Sequence, residues 1–240
     1  MKTLLVLTGH SKGIGHALLA HFLGQDGMQI HAISRTKGPL SHPQLTEWAV
    51  DLSDAAAVEA ILPEIFPCIP ADRYLLINNA GWIGEIKPTG KLQPAALQRT
   101  LQLNLLTPML LSNAFALAYG TNPEQKLICN LSSGAASKPL PGWSSYCSSK
   151  AGLEMFSKVM DAEWRSEAFR VFSVAPGIVD TEMQEEIRAA QPEDFPALSR
   201  FRDYHSEGML SPAAAVAEKI GFMLSHPDQF PDVVQDVRHF

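Results

Sequence analysis

The junction that most constrains this chain lies at its start, where an apolar, strand-forming run meets a helical one across a cluster of glycines. Thr3 to Thr8 are β-prone, Gly9 to Gly13 form a glycine-containing turn, and Ile14 to Gly24 carry helical spacing. The same alternation then repeats. A strand is expected over Met28 to Ser34, a short further segment at Trp48 to Leu52, and a helix to Leu62 that Ser53 or Asp54 would cap. Arg73 to Ile77 reads as a strand, and Pro94 to Tyr119 as a long helix that Pro108 should bend or interrupt. Lys126 to Leu131 is a strand, Ser144 to Arg165 a helix, and Val171 to Val174 another strand ending at Pro176-Gly177. Repeated βα units predict a parallel sheet covered by helices on both faces.

The stretch 181–210 departs from this rhythm, with Pro192, Pro196, many charges and scattered aromatics after a possible short helix over Glu182 to Ala190. An excursion leaving the carboxyl end of a strand in an open α/β sheet suits a substrate lid, and a surface insertion is the plainer alternative. Pro212 to Leu224 returns to helix, and Asp232 to Phe240 offers a final strand and tail. With 240 residues, a single domain over 1–240 is expected.

A net charge of -6 and the lack of any Lys/Arg block argue against nucleic acid as a partner. Three cysteines, Cys68, Cys129 and Cys147, lack zinc-site spacing, so reduced thiols in a cytoplasmic protein are expected, with no disulfide and no metal. The apolar run Leu4 to Leu7 is too short for a membrane span or a signal sequence, and no membrane partner is expected.

The turn Gly9-His10-Ser11-Lys12-Gly13-Ile14-Gly15 has GxxxGxG spacing between a strand and a helix. Glycines there let the backbone approach a pyrophosphate at the helix N-terminus, although a glycine trio alone is also compatible with a plain tight turn. A ribose 2'-hydroxyl needs an acidic acceptor at the end of the second strand, whereas a 2'-phosphate needs cations and hydroxyls. That strand ends Ser34-Arg35-Thr36 with no acid, and Lys12 stands in the turn, which favours NADP(H) over NAD(H). Asp51 is placed either to accept from an adenine amino group or to cap the following helix. Asn79-Ala80-Gly81 ends a strand with small residues that permit close approach, and Pro176-Gly177 with Thr181 offers a kinked backbone and a hydroxyl for an amide.

Tyr146 and Lys150 are four residues apart at the start of a helix and share a face. An ammonium beside a phenol stabilises the phenolate and brings an acid/base group nearer working pH, though an isolated pair at this spacing is often ordinary helix surface. Ser132-Ser133 ends the preceding strand, where a hydroxyl could hydrogen-bond a carbonyl oxygen that Tyr146 protonates. Asn104 is unfavourable inside a helix; its amide could hold a water linked to Lys150 or satisfy a local contact. Trp82 and Trp143 either wall an aromatic substrate or pack, and Met183, Phe195, Phe201 and Tyr204 are candidates for the inside of a lid.

Taken in order, the glycine turn, Asn79-Ala80-Gly81, Asn104, Ser133, Tyr146, Lys150 and Pro176-Gly177 resemble the classical short-chain dehydrogenase/reductase family over nearly the full chain. The resemblance implies a Rossmann-type doubly wound parallel sheet and a catalytic tetrad of Asn104, Ser133, Tyr146 and Lys150, with Ser133 chosen because it lies thirteen residues before Tyr146. It implies NADP(H) contacts from Gly9, Ser11, Lys12, Gly13, Ile14, Gly15, Arg35, Asp51, Leu52, Asn79, Ala80, Gly81, Tyr146, Lys150, Pro176, Gly177, Val179 and Thr181. Substrate contacts are expected from Ser133, Trp143, Tyr146, Gly177, Met183 and Asp236.

The segments Gly142 to Cys147 and Pro176 to Gln184 look like the sepiapterin reductase branch and its microbial relatives that reduce benzil. That branch implies NADPH-linked reduction of a small-molecule ketone, a vicinal diketone or an oxo side chain, by a homodimer. A pterin side-chain reductase would need a buried acid near Asp236. An oxoacyl carrier reductase lacks support from any basic stripe, and a non-enzymatic dinucleotide sensor would be expected to have lost a tetrad member.

Overall fold

The computed structural model describes all 240 residues. Seven strands form one parallel sheet: β1 Thr3–Thr8, β2 Met28–Ser34, β3 Leu45–Ala49, β4 Arg73–Asn78, β5 Gln125–Leu131, β6 Phe169–Ala175 and β7 Val234–Asp236. Their spatial order is β3-β2-β1-β4-β5-β6-β7. Every residue of β1 and β4 is buried, as strands require when helices cover both faces. The chain leaves β1 toward β2 on one side and reaches β4 on the other, so the order reverses between β1 and β4. A crevice opens at the carboxyl ends of strands where such a reversal occurs.

The helices are α1 Gly13–Leu23, α2 Ala55–Ile65, α3 Pro94–Leu101, α4 Thr107–Tyr119, α5 Ser144–Trp164, α6 Glu182–Arg188, α7 Leu198–Ser206 and α8 Ala213–Ser225. On one face of the sheet, Leu18, Leu19 and Phe22 of α1 pack with Val216 and Ile220 of α8. On the other face, Leu111, Phe115 and Tyr119 of α4 and Met160 of α5 cover Leu76 and Ile128, and Tyr119 stacks on Tyr74 with ring centroids 4.1 Å apart. One side of the Pro94–Tyr119 segment packs on the sheet, while Leu101, Leu106 and Leu117 stay exposed.

Two elements differ from expectation. The third strand is Leu45–Ala49 rather than Trp48 to Leu52: its ladder runs from Ile30↔Leu45 to Ser34↔Ala49, and Asp51-Leu52 lie past its end. As an edge strand it alternates only between exposed and half-buried, which blunts the apolar signal. The long helix is broken as Pro108 foretold, by a π turn over Gln102–Leu106 in which the Thr107 N–H reaches back five residues to the Gln102 carbonyl. Pro108 has no N–H to return to Asn104, so the wider turn takes up that loss just upstream. The N-cap of α2 is Asp54, whose carboxylate accepts from the N–H groups of Ala56 and Ala57.

The stretch 181–210 is ordered by α6 and α7, the second of which the sequence did not announce. Its apolar residues Ile187, Phe195, Leu198 and Phe201 form a third, smaller core with Ile83, Trp143 and Tyr146.

Candidate functional site: a dinucleotide crevice with a buried Tyr-Lys pair

The crevice at the β1/β4 reversal encloses about 630 Å³. Its floor is the turn between β1 and α1. Gly9 and Gly13 have φ of 71° and 56°, which side chains rarely tolerate. A Cβ on Gly9 would stand 2.8 Å from the Ala80 Cα, and one on Gly15 only 2.0 Å from the Gly9 carbonyl oxygen. Asn79 ties the two strand ends together: its side-chain amide donates to the carbonyls of Thr8 (3.0 Å) and Gly9 (3.1 Å), while the Thr8 hydroxyl accepts from the Asn79 and Ala80 N–H groups. The result is bare backbone at a helix N-terminus, the surface a pyrophosphate needs.

The crevice wall contains Gly9, Ser11, Lys12, Gly13, Ile14, Gly15, Arg35, Asp51, Leu52, Asn79, Ala80, Gly81 and Thr181, all expected from the sequence, together with Met183. It also contains Ser34 and Thr36 flanking Arg35, and Trp82 with Arg99 held over its ring at 5.2 Å. Trp82 thus lines the dinucleotide crevice, and nothing in the sequence pointed to Arg99 of α3. Asp51 accepts from the N–H and hydroxyl of Ser53, and those bonds hold its carboxyl below the usual carboxylate range. Lys12 pairs with Glu182 of α6, and both residues line the crevice.

The other expected contacts do not line the crevice: Tyr146, Lys150, Pro176, Gly177 and Val179 for the cofactor, and Ser133, Trp143 and Asp236 for the substrate. Val179 is 4% exposed and belongs to the core under α8, because its side chain points inward where the backbone bridges to Ser211. Pro176 and Gly177 do not line the crevice; Gly177 (φ 80°) lies against Arg238. Asp236 is not a free acid: its oxygens accept from the backbone N–H of Arg238 and from its guanidinium, which lowers its pKa.

The tetrad candidates converge beside Gly81. Lys150 is buried, donates from Nζ to the Leu131 carbonyl at 2.7 Å, and lies 5.8 Å from the Tyr146 ring centroid. A Cβ on Gly81 would come within 3.7 Å of that Nζ and 3.4 Å of Asn104 Oδ1, so a glycine keeps the approach to both open. Burial lowers the Lys150 pKa to about 8. Burial also raises the Tyr146 phenol to about 12, and the Ser133 hydroxyl offsets part of that shift. The expected depression of the phenol by its lysine is absent in this state: burial dominates, opposed only by the Ser133 hydroxyl, and favours the protonated form a proton donor requires.

Of the two readings for Asn104, the local contact is the one observed. Its Oδ1 accepts from the Trp82 N–H at 2.9 Å, and its Nδ2 donates to the Trp82 carbonyl at 2.8 Å and to Ser149 Oγ at 3.2 Å. The amide is fully engaged in clamping the loop after β4, so no water is needed to satisfy it.

Trp143 is 4% exposed and stacks on Phe195 (5.0 Å, 11°), with Phe201 and the edge of Tyr146 nearby. It packs between Tyr146 and the 181–210 stretch rather than standing as an open wall. Packing wins here because the ring has aromatic partners on several sides.

A profile described as short chain dehydrogenase matches residues 3–192. The chain is 42% identical over 212 residues to a benzil reductase ((S)-benzoin forming) of Bacillus subtilis (strain 168), covering 86% of this chain and 87% of that one. It is 32% identical over 235 residues to the sepiapterin reductase of Meriones unguiculatus, covering 90% and 88%. A solved short-chain dehydrogenase/reductase from Burkholderia vietnamiensis superposes with a TM-score of 0.69 at 32% identity, covering 80% of this chain and 93% of that one. With the matched profile spanning most of its length and a Rossmann-type sheet carrying the dinucleotide crevice, the chain belongs to the short-chain dehydrogenase family.

Proposed function

We propose that this protein is an NADPH-dependent carbonyl reductase acting on a vicinal diketone or aromatic ketone, with Tyr146 as the proton donor. The observation that carries this reading is a buried Tyr146 with the Lys150 Nζ 5.8 Å from its ring, set against Gly81 in the wall of a crevice shaped for a dinucleotide. The glycine cradle fits the pyrophosphate, and Ser34, Arg35 and Thr36 with Lys12 supply hydroxyls and cations, with no acid at the end of β2, for a 2'-phosphate. Bound there, the reduced nicotinamide supplies hydride to the substrate carbonyl carbon. As that C–H bond forms, the carbonyl π pair moves onto oxygen. The Tyr146 phenol gives its proton to that oxygen while Ser133 donates a hydrogen bond to it. Lys150, cationic below its depressed pKa, stabilises the phenolate left behind and holds the proton that restores it.

Similarity to the Bacillus benzil reductase and to sepiapterin reductases supports a diketone or oxo side chain as substrate class. Trp82 and Met183 place apolar side chains in the crevice wall, which suits an aryl diketone, and engagement of Asp236 by Arg238 removes the free acid a pterin ring would want. The test is NADPH oxidation by purified protein with benzil and sepiapterin in parallel, an NADH control and Tyr146→Phe. Benzil turnover that vanishes in the variant supports the assignment. Preferential sepiapterin turnover moves it to pterin chemistry, and turnover that survives in Tyr146→Phe removes the tyrosine from its role.

A homodimer is part of the same proposal. Leu117 (88% exposed) on α4, and Met155 (59%) and Val159 (47%) on α5, leave apolar side chains unpartnered on two neighbouring helices. A second copy would cover them by pairing α4 and α5 with their equivalents. Sedimentation of Leu117→Lys against the unsubstituted protein checks it: a monomer is expected from the variant, and identical profiles would count against this face.

A further inference from the structure

His10 sits in the glycine turn, yet it is fully buried and does not line the crevice. Its side chain runs behind the turn to β3, where Nε2 lies 2.7 Å from Glu47 Oε1. The same carboxylate oxygen accepts the Gly38 N–H at 2.6 Å. Gly38 lies flat against the pair: a Cβ there would fall 3.4 Å from Glu47 Oε1 and 3.5 Å from His10 Cδ2. One oxygen therefore joins the glycine turn, the edge strand and the loop that follows β2.

That loop begins with Arg35 and Thr36, which line the crevice, and Arg35, Thr36 and Lys37 are all exposed. It has no regular structure up to β3, so few contacts fix where Arg35 points. The glycine turn, by contrast, has independent ties, through the Asn79 side chain to the Thr8 and Gly9 carbonyls and through the Gly9 N–H to the Ile33 carbonyl at 2.7 Å. Loss of His10 would consequently be felt by the loop before the turn. It would also leave the Glu47 carboxylate, whose side chain is only 14% exposed, with a single partner against the loop that must accept a dianionic group.

We propose that His10 is a positioning residue for cofactor choice: through Glu47 it fixes the loop after β2 so that Arg35 and Thr36 meet the ribose 2'-phosphate. The inference rests on the NADP(H) reading above. It predicts that His10 matters to the phosphorylated cofactor and little to the unphosphorylated one, because NADH makes no demand on that loop.

The experiment is calorimetric titration of the full chain with NADPH, NADH, 2'-phospho-AMP and AMP, alongside KM and kcat for NADPH. Unsubstituted protein that binds NADH as tightly as NADPH would overturn the underlying cofactor reading, and that result is visible before any variant is made. In His10→Ala, affinity for NADPH and 2'-phospho-AMP should fall about tenfold, the scale of one lost hydrogen bond to a charged group, with NADH and AMP within about twofold. KM for NADPH should rise while kcat is kept. His10→Gln, which can still donate toward Glu47, should restore most of the preference. Equal losses for NADPH and NADH would make His10 a plain support of the turn, and unchanged NADPH affinity would sink the proposal. If His10→Ala does not fold, the Glu47 pair decides: Glu47→Gln retains an acceptor and should keep the NADPH preference, while Glu47→Ala should lose it. Equal behaviour of the two Glu47 variants would overturn the positioning role.

Discussion

Gly15→Ala tests the crevice at its tightest point. The added Cβ would stand 2.0 Å from the Gly9 carbonyl oxygen and 2.4 Å from Asn79 Nδ2, and neither can retreat as a flexible side-chain end would. The Gly9 carbonyl belongs to a turn fixed by positive-φ glycines, and the Asn79 amide is committed to two backbone carbonyls. Relief requires moving α1 off the sheet or breaking both Asn79 bonds. Overpacking costs about 1–3 kcal/mol and each lost bond about 1 kcal/mol, so a destabilisation of roughly 3–5 kcal/mol is expected. For a domain of this size that lowers Tm by about 10 °C. The assay is thermal unfolding with and without saturating NADPH, with Gly24→Ala as control. Gly24 has φ −76°, and its Cβ would meet only the His21 carbonyl oxygen at 3.8 Å, so the control should be neutral or slightly stabilising. The variant should also lose most of the NADPH-induced rise in Tm. A Gly15→Ala protein that melts within about 2 °C of its parent and still binds NADPH would refute the reasoning, since a shift that small corresponds to less than about 1 kcal/mol.

Reduction at saturating NADPH should slow as pH rises through about 8, where Lys150 loses the proton that burial already loosens, while Tyr146, held up at about 12, stays protonated throughout; a flat profile from pH 7 to 10 would contradict this. The same burial makes the charged lysine costly below pH 8, so stability against denaturant should rise between pH 8 and the ordinary lysine range, where the unfolded chain binds the extra proton, and Lys150→Met should flatten that rise. Trp143→Ala removes the ring on which Phe195 stacks, so KM for an aryl ketone should rise, protease should cut first within 181–210, and stability should fall by about 3–5 kcal/mol. Asn104→Ala strands the Trp82 N–H and carbonyl and should cost about 1–3 kcal/mol in urea unfolding; Asn104→Asp, which keeps the acceptor for the N–H, should recover part of it.

The parallel sheet was legible in the sequence because its inner strands carry apolar runs, as in Leu4–Leu7 and Leu75–Ile77, that lead into glycine or asparagine. The edge strand Leu45–Ala49 was placed three residues too late, since half-exposed positions leave no contrast to read. In the crevice, residues that act through backbone and small size, such as Gly9 and Gly81, announce themselves by spacing. Arg99 does not, because it reaches the crevice through α3 and the π turn, and only folding brings it over Trp82. Trp143 and Asn104 were each left with two readings, and the local one holds in both: a sequence reveals an unusual side chain, and neighbours from distant segments, Phe195 for one and Trp82 for the other, decide what it touches. The direction of the Tyr146 shift was missed for the same reason, since burial is a property of the assembled core.

The π turn at Gln102–Leu106 amounts to one residue inserted into an otherwise regular helix. Deleting a single residue there would let the hydrogen-bond ladder close continuously from α3 into α4 and would turn α3 by about 100° relative to α4. The helix by itself would gain regularity. Arg99 would swing away from Trp82, and the loop after β4 would lose the amide that clamps it. The length of this segment is therefore set by the crevice and not by the helix, and a one-residue deletion here should be far harder to tolerate than one in the exposed loop before β3.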